Sequence, residues 1–208
     1  MKIFLIGASG MVGSRVLQEA LSRGHEVIAG ARHPEKIAAA KGVTAVKADL
    51  ADAAGLAGYA AKADVIVAAV SPRSGANPVD EAKANGAAVI AAATASGKRL
   101  MMVGGAGSLN LPDGSPVLPH VPEPYRAEAT GMKAVYEALK ESALDWTFFA
   151  PASLIQPGAR TGKFRLGKDV LITAENGSST ISAEDYAVAL VDELERPANR
   201  RSIMTIGY

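Results

Sequence analysis

The sequence contains no cysteine and only three histidines, His25, His33 and His120. The absence of cysteine excludes disulfide bonds, thiol nucleophiles and metal sites built from thiolates. Three histidines scattered along the chain also argue against a zinc cluster, so we expect no metal centre. A protein without disulfides suits a reducing compartment, and we expect a cytoplasmic location.

The chain also lacks an excess of charge and any long apolar run. It has 22 basic and 21 acidic residues, for a formal charge of +1, which gives no field to hold nucleic acid or an anionic membrane. Ala-rich runs such as 87–95 are too short to span a bilayer, and we find no basic and then apolar leader. The expected partner is a small-molecule substrate, with no nucleic acid and no membrane, and the expected state is a monomer or weak homodimer.

Strand-like and helix-like segments alternate along the 208 residues, of which 49% are hydrophobic. This alternation predicts an α/β fold, a Rossmann-type doubly wound parallel sheet flanked by helices. The strands are predicted at 2–6, 25–30, 43–48, 64–70, 98–103 and 145–150, and the helices between them at 14–21, 53–61, 78–97 and 125–142.

The pattern changes after Pro151. Residues 163–173 alternate around a Gly-Lys turn and predict a small β-hairpin on the substrate side. Ser182 begins a helix with an apolar face, and residues 202–206 form a closing strand. We predict a single domain over 1–208, in which the part from about 151 to 208 contributes the substrate side.

Three glycines follow the first strand at three-residue spacing. Gly7 allows a tight turn, Gly10 lets the backbone approach a pyrophosphate, and Gly13 allows close packing of the next helix. Because the helix N-terminus offers free N–H groups, it favours a phosphate. A second strand completes a βαβ unit of about 30 residues, so the motif predicts a dinucleotide site rather than a glycine-rich turn of purely conformational origin.

The residue after the second strand selects the dinucleotide. NAD enzymes usually carry an acid there to bind the ribose hydroxyls, whereas this chain has Arg32, followed by His33. A guanidinium suits a 2′-phosphate, so NADPH is favoured over NADH, although NADH remains possible. The alternative is an ordinary solvated arginine at a strand end.

Further cofactor contacts are expected directly after the other parallel strands, because ligands of open α/β sheets lie beyond the carboxyl ends. Asp49 either accepts a hydrogen bond from the adenine amino group or caps the following turn. The complete predicted cofactor set is Gly7, Ala8, Ser9, Gly10, Met11, Val12, Gly13, Arg32, His33, Asp49, Leu50, Ala68, Ala69, Val70, Gly104, Gly105, Pro151, Ala152 and Ser153.

Four segments carry a resemblance to a known group of proteins: 7–13 (GASGMVG), 47–50 (KADL), 144–151 (LDWTFFAP) and 161–165 (TGKFR). On these residues the chain resembles the atypical short-chain dehydrogenase/reductase superfamily, in its NmrA-like, NAD(P)H-binding branch. It looks most like the NADH:flavin reductases, with biliverdin reductase B/flavin reductase as a more distant relative. The resemblance implies an NAD(P)H-dependent oxidoreductase.

The superfamily's Tyr-x-x-x-Lys signature has only a displaced match in this chain. Tyr136 and Lys140 lie in the last turns of their helix, whereas the superfamily tyrosine lies near the helix start. Tyr125 has that position, but four residues later stands Ala129. Flavin reduction fits this departure, because a hydride passes to the flavin ring with little acid–base chemistry.

The resemblance therefore implies hydride transfer from NADPH to FMN, FAD or a similar aromatic acceptor. We expect the acceptor beside Tyr125, His120 and Ser153, near Pro151 and the loop around Arg160. His120 either delivers a proton or is simply solvated. The main alternative is a non-catalytic NmrA-like sensor that binds NADP(H) and signals to a partner protein. A third possibility is a reductase or isomerase of another small carbonyl compound.

Overall fold

The computed structural model describes residues 1–72, 75 and 77–208. In these residues the strands are β1 (Lys2–Ile6), β2 (Glu26–Ala31), β3 (Val43–Lys47), β4 (Val65–Ala68), β5 (Arg99–Val103), β6 (Trp146–Ala150), β7 (Leu154–Gln156), β8 (Arg165–Gly167), β9 (Thr180–Ser182) and β10 (Ser202–Gly207). The α-helices are α1 (Met11–Ser22), α2 (Ala53–Ala61), α3 (Pro78–Ser96), α4 (Glu123–Lys140) and α5 (Ala183–Glu195).

Eight strands form the central sheet, in the order β3-β2-β1-β4-β5-β6-β10-β8. Each neighbouring pair is parallel except β10 and β8, which are antiparallel. The short strands β7 and β9 form a separate parallel pair. The chain order reverses between β1 and β4, which is the topological switch point at which such sheets bind ligands.

Helices cover both faces of the sheet, in agreement with the predicted Rossmann-type fold. One core cluster joins the sheet to α1 and α5, and the other joins it to α2, α3 and α4. The central strands β4 and β6 are buried along their whole length. Continuous apolar runs suit strands with helices on both faces, which explains why these strands were predictable from sequence.

The ends of α3 and α5 are capped, and the cap at Ser182 was predicted from the sequence. Ser182 accepts a hydrogen bond from the Asp185 backbone N–H at 3.0 Å and so begins α5. Asn77 caps α3 in the same way, and Gly97 ends that helix with a φ of 64°. Within the described ranges, none of the helices is both long and apolar enough to cross a bilayer.

The predicted hairpin at 163–173 is wrong. Its first arm, β8, pairs with Thr205–Gly207 of β10 instead of with the second arm. The second arm bonds to the loop after β5, where the Asn110 N–H donates to the Asp169 carbonyl at 2.7 Å and the Leu171 N–H to the Asn110 carbonyl at 2.8 Å. The two arms have separate, distant partners, which satisfy the backbone groups that a hairpin would have paired.

Candidate functional site

The glycine turn after β1 is held by backbone hydrogen bonds and by close contacts. The N–H groups of Gly7 and Ala8 donate to the Gly30 carbonyl at 2.9 and 3.0 Å. Gly7 has a φ of 87°, and a Cβ there would lie 2.2 Å from the Ala69 carbonyl oxygen. A Cβ on Gly13 would lie 2.0 Å from the Gly7 carbonyl oxygen. Only glycine fits at these two positions, because any side chain would collide with backbone.

Gly10 differs from the other two glycines of the turn. A Cβ there would meet the Gly7 carbonyl oxygen at 3.3 Å, and no other atom of the described residues lies within 4 Å. Gly10 is also exposed. The space in front of Gly10 is therefore open to a ligand, as expected for a residue that lets a phosphate approach the backbone.

The start of α1 carries the chemistry of an anion site. The N-cap is Gly10, with no side-chain hydrogen bond to the first turn within the described part of the chain, and that turn contains no acid. The N–H groups of Met11, Val12 and Gly13 have no carbonyl acceptor inside the helix, because the first turn of a helix lacks these partners. Together with the helix dipole they favour a phosphate, so this turn fits the pyrophosphate of a dinucleotide.

Arg32 follows β2 at the same edge of the sheet. Its side chain is exposed and makes no hydrogen bond or ion pair with any residue the structure describes. The neighbouring His33 lies 3.1 Å from Glu35, measured from Nδ1 to Oε1. The Arg32 guanidinium is therefore free to bind an anion. Exposure without a partner is equally typical of an ordinary solvated arginine.

Asp49 follows β3, and one of its two carboxylate oxygens accepts a hydrogen bond. Its Oδ1 accepts the Ala51 backbone N–H at 2.9 Å, which is the turn-capping role. The side chain is exposed, and Oδ2 makes no hydrogen bond in the described residues. The two roles expected for Asp49 are therefore compatible, because one oxygen caps the turn and the other remains available to an adenine amino group.

The segments after the central strands lie along one edge, because these strands run in the same direction. The Ala69 N–H bonds to the Ile6 carbonyl at 2.9 Å, and the Gly104 N–H bonds to the Phe149 carbonyl at 2.8 Å. A Cβ on Gly104 would lie 2.2 Å from the Phe148 ring, so Gly104 is required by packing. Along this edge the structure brings together the turn 7–13 and the predicted cofactor residues Ala68, Ala69, Val70, Gly104, Gly105, Pro151, Ala152 and Ser153.

The predicted acceptor-side residues lie at the surface of this edge. Tyr125 is in the first turn of α4 and is 65% exposed. Its helix packs on the segment after β5, where a Cβ on Gly107 would lie 2.9 Å from that of Ala129. His120 and Ser153 are exposed as well. Pro151 and Ala152 are buried, so Ser153 is the first residue after β6 whose side chain a ligand could contact.

Tyr136 and Lys140 do not belong to this edge. The Tyr136 ring packs between Trp146 and Phe148, with ring centroids 6.0 and 5.0 Å apart. Lys140 Nζ donates to Glu137 Oε2 at 2.6 Å. Burial raises the pKa of Tyr136, which opposes its ionisation. Tyr136 therefore packs against the core and Lys140 is exposed, so the pair offers no proton relay to a ligand at the carboxyl edge.

Arg160 pairs with a carboxylate of α1. Its guanidinium makes a two-pronged contact with Glu19 of α1, from Nε to Oε2 at 2.8 Å and from Nη2 to Oε1 at 2.9 Å. Arg23 also contacts the Glu19 carboxylate at 2.8 Å. The hydrogen bond from Arg160 lowers the pKa of Glu19 and outweighs the effect of burial. This charge pairing ties the loop around Arg160 to α1, and the expectation that the acceptor binds near this loop stays a prediction.

A second carboxylate, Asp185, fixes the same loop to α5. Asp185 is fully buried and accepts hydrogen bonds from the Thr161 and Gly162 N–H groups at 2.8 Å, from the Thr161 hydroxyl at 2.5 Å and from the Tyr208 hydroxyl at 2.8 Å. Burial alone would raise the pKa of Asp185, but these donors lower it. Asp185 lies in the first turn of α5, where an acid is ordinary in sequence, and its burial depends on a loop more than 20 residues away.

The comparisons with known proteins agree with this geometry. The family model described as NAD(P)H-binding matches residues 7–197. The chain is 34% identical to the uncharacterized protein YwnB of Bacillus subtilis (strain 168) over 212 aligned positions, which cover 99% of this chain and 98% of that protein.

Two solved structures are similar over the full length of the chain. A "putative epimerase" from Bacteroides thetaiotaomicron is 41% identical, with a TM-score of 0.92 and coverage of 100% of this chain and 96% of that one. A "putative NADH-flavin reductase" from Streptococcus pneumoniae TIGR4 is 29% identical, with a TM-score of 0.86 and coverage of 100% and 99%. The glycine turn, the uncapped helix start and the match of the family model over 7–197 lead to one conclusion: the chain belongs to the NAD(P)H-binding family.

Proposed function

We propose that the protein is an NAD(P)H-dependent oxidoreductase that transfers a hydride from NADPH to a flavin or a similar aromatic acceptor. One observation carries the proposal. The edge of the sheet that suits a dinucleotide contains no tyrosine paired with a lysine among the residues the structure describes, since Tyr136 and Lys140 pack elsewhere. Carbonyl reduction needs such a proton donor, whereas flavin reduction depends mainly on positioning.

The chain's own residues would hold the cofactor from one end of the edge to the other. The backbone N–H groups of 11–13 would bind the pyrophosphate, and Arg32 would bind the 2′-phosphate. Asp49 Oδ2 would accept the adenine amino group, and the segment 151–153 would border the nicotinamide. A bound NADPH supplies a hydride ion, and the acceptor ring takes up one further proton from water.

The acceptor would lie beyond Ser153, between that residue and Tyr125. The exposed Tyr125 ring offers a flat apolar surface with a polar end, which suits stacking against an aromatic acceptor. His120 is exposed in the loop that leads to α4, and it would be the route by which a proton from water reaches the acceptor on that side. The name of the Streptococcus pneumoniae relative supports the same class of acceptor.

Steady-state oxidation of the reduced cofactor tests the proposal. NADPH and, separately, NADH are supplied with FMN or FAD, and the loss of absorbance of the reduced nicotinamide is compared with a reaction without protein. We expect saturable, flavin-dependent turnover with a lower KM for NADPH than for NADH. Tight NADPH binding without flavin-dependent turnover would contradict the reductase and favour the sensor that binds NADP(H) without catalysis.

The cellular context forms part of the same proposal. A cytoplasmic location, where NADPH is regenerated, and a monomer or weak homodimer suit a reductase with a small-molecule substrate. Cell fractionation and sedimentation at several protein concentrations test these two points.

A further inference from the structure

An exposed leucine borders the acceptor side of the site. Leu154 is 48% exposed, although it is a large apolar residue. It directly follows Ser153 and lies four positions beyond Ala150, the last residue of β6. At about 3.3 Å per extended residue, its Cα lies no more than roughly 13 Å from the carboxyl end of β6. Leu154 therefore lies at the edge of the sheet where the acceptor is proposed to bind.

The backbone of Leu154 is fixed while its side chain is exposed. Its N–H donates to the Ser179 carbonyl at 3.0 Å, and it pairs with Thr180 of β9. The next residue, Ile155, packs on the core cluster that contains α1 and α5. Because successive strand residues point to opposite faces, the Leu154 side chain points away from that cluster. Because its backbone is fixed, the Leu154 side chain is already positioned, and little conformational entropy is lost when a ligand covers it.

We propose that Leu154 determines acceptor specificity by contacting the apolar, methyl-substituted end of a flat ring system. This inference rests on the proposed function. An exposed leucine gains free energy when apolar surface covers it, and it gains nothing from a polar ring edge. The dimethylbenzene end of a flavin offers such surface, and the opposite, pyrimidine end does not. The cofactor's phosphates and adenine are assigned to the turns after β1, β2 and β3, so its affinity depends little on Leu154.

Steady-state kinetics with two acceptors test this assignment. Leu154→Asn and the wild type are compared with FMN and with the FMN analogue that lacks the two ring methyl groups, at saturating NADPH. For FMN we expect an increase in KM of about tenfold in Leu154→Asn, with little change in kcat or in the KM for NADPH. Removing the methyl groups raises KM about fivefold for the wild type and has little further effect on Leu154→Asn.

Two further variants separate apolar contact from other effects. Leu166→Asn is the matched control: Leu166 is 54% exposed and pairs with Ile206 at the carboxyl end of β10, so this variant tests whether any exposed leucine near this edge affects the KM. We expect its KM for FMN to equal that of the wild type. Leu154→Met keeps an apolar side chain and keeps the wild-type KM. If Leu154→Asn does not fold, Leu154→Ala gives the same comparison, with an expected increase of about fivefold.

The outcomes distinguish the inference from the proposed function. An unchanged KM for FMN in Leu154→Asn, or equal increases in Leu154→Asn and Leu166→Asn, overturns the role of Leu154 and leaves the reductase intact. A penalty for removing the methyl groups that is the same in both proteins also overturns it. If the wild type shows no flavin-dependent oxidation of NADPH, the proposed function fails and the inference fails with it.

Discussion

At the residue scale, Arg32 is the residue that we propose selects between NADPH and NADH. Its exposed guanidinium has no partner in the described residues, so the only interaction lost in Arg32→Ala is one with a ligand. We expect Arg32→Ala to weaken NADPH binding by about 1.5–3 kcal/mol, roughly 10- to 150-fold, and to leave NADH binding nearly unchanged. Titration of each variant with both cofactors measures the difference. Lys41→Ala is the control, because this exposed lysine precedes β3 at the opposite edge of the sheet.

Equal losses of affinity for NADPH and NADH in Arg32→Ala would contradict a 2′-phosphate contact. No loss for either cofactor would identify Arg32 as an ordinary surface arginine. The sequence alone left both interpretations open, since an arginine after a strand has the same appearance in either case. The structure adds that the guanidinium is not used by another side chain of the described residues.

Gly10 and Gly13 are separated by three residues, yet they have different tasks. A Cβ on Gly13 would lie 2.0 Å from backbone, whereas one on Gly10 would meet a single atom at 3.3 Å. We expect Gly13→Ala to destabilise the fold by about 3 kcal/mol or more and Gly10→Ala by about 1 kcal/mol. Gly10→Ala nevertheless lowers NADPH affinity at least about tenfold, because its methyl group occupies the space for the pyrophosphate.

Urea unfolding and cofactor titration of the same variants measure the two effects. Gly58→Ala is the control for the substitution itself, because Gly58 lies in α2 and a Cβ there meets no described atom within 4 Å. It is expected to stabilise the protein by about 0.5–1 kcal/mol, since alanine favours a helix. A Gly10→Ala variant with wild-type affinity for NADPH would show that the pyrophosphate does not approach this residue.

At the element scale, α5 carries the carboxylate of Asp185, which holds the loop 158–163 to this helix. Asp185→Asn keeps the shape of the side chain but replaces one acceptor oxygen with a donor, while the Thr161 and Tyr208 hydroxyls now donate to that position. We expect a loss of about 1–3 kcal/mol in the free energy of unfolding at pH 7. Asp192→Asn is the control on the same helix: Asp192 also accepts a hydrogen bond, from Arg23 at 2.6 Å, but its side chain is 35% exposed, so we expect a smaller loss.

The contrast in stability between these two variants is measured by urea unfolding under identical conditions. Equal stabilities would mean that the loop does not depend on Asp185. In Asp185→Asn the hydrogen bonds from the Thr161 and Gly162 amides to residue 185 are weaker. We therefore also expect faster hydrogen exchange at these two amides.

Elements differ in how well the sequence predicts them, and the reason is the range of their interactions. The strands β1, β4 and β6 are mostly apolar, which is typical of buried parallel strands. The alternation at 163–173 gave a wrong hairpin because its true partners, Thr205–Gly207 and Asn110, lie far away in sequence. Likewise, Leu154 and Asp185 have roles that depend on exposure and burial, which periodicity in a short segment does not reveal.

At the scale of the whole molecule, buried carboxylates set how stability depends on pH. Glu19, Asp185 and Glu193 are each at most 6% exposed. Hydrogen bonds from Arg160 lower the pKa of Glu19, and those from Thr161 lower the pKa of Asp185 against the effect of burial. Burial alone would raise the pKa of Glu193. Hydrogen bonds, first of all those from Asn199, outweigh this effect, so the pKa of Glu193 is also lowered.

A pKa that is lower in the folded protein makes stability depend on ionisation. The stabilisation is fully present above the unfolded values of 4.5 for glutamate and 3.8 for aspartate, and it is lost as pH falls through the lower folded values. We therefore expect a nearly constant urea midpoint from pH 7 to about 5.5 and a steep fall below about pH 4.5. Asp185→Asn has one such group fewer, so its stability falls less steeply in acid. A variant with the same slope as the wild type would show that the pKa of Asp185 is the same in the folded and in the unfolded protein.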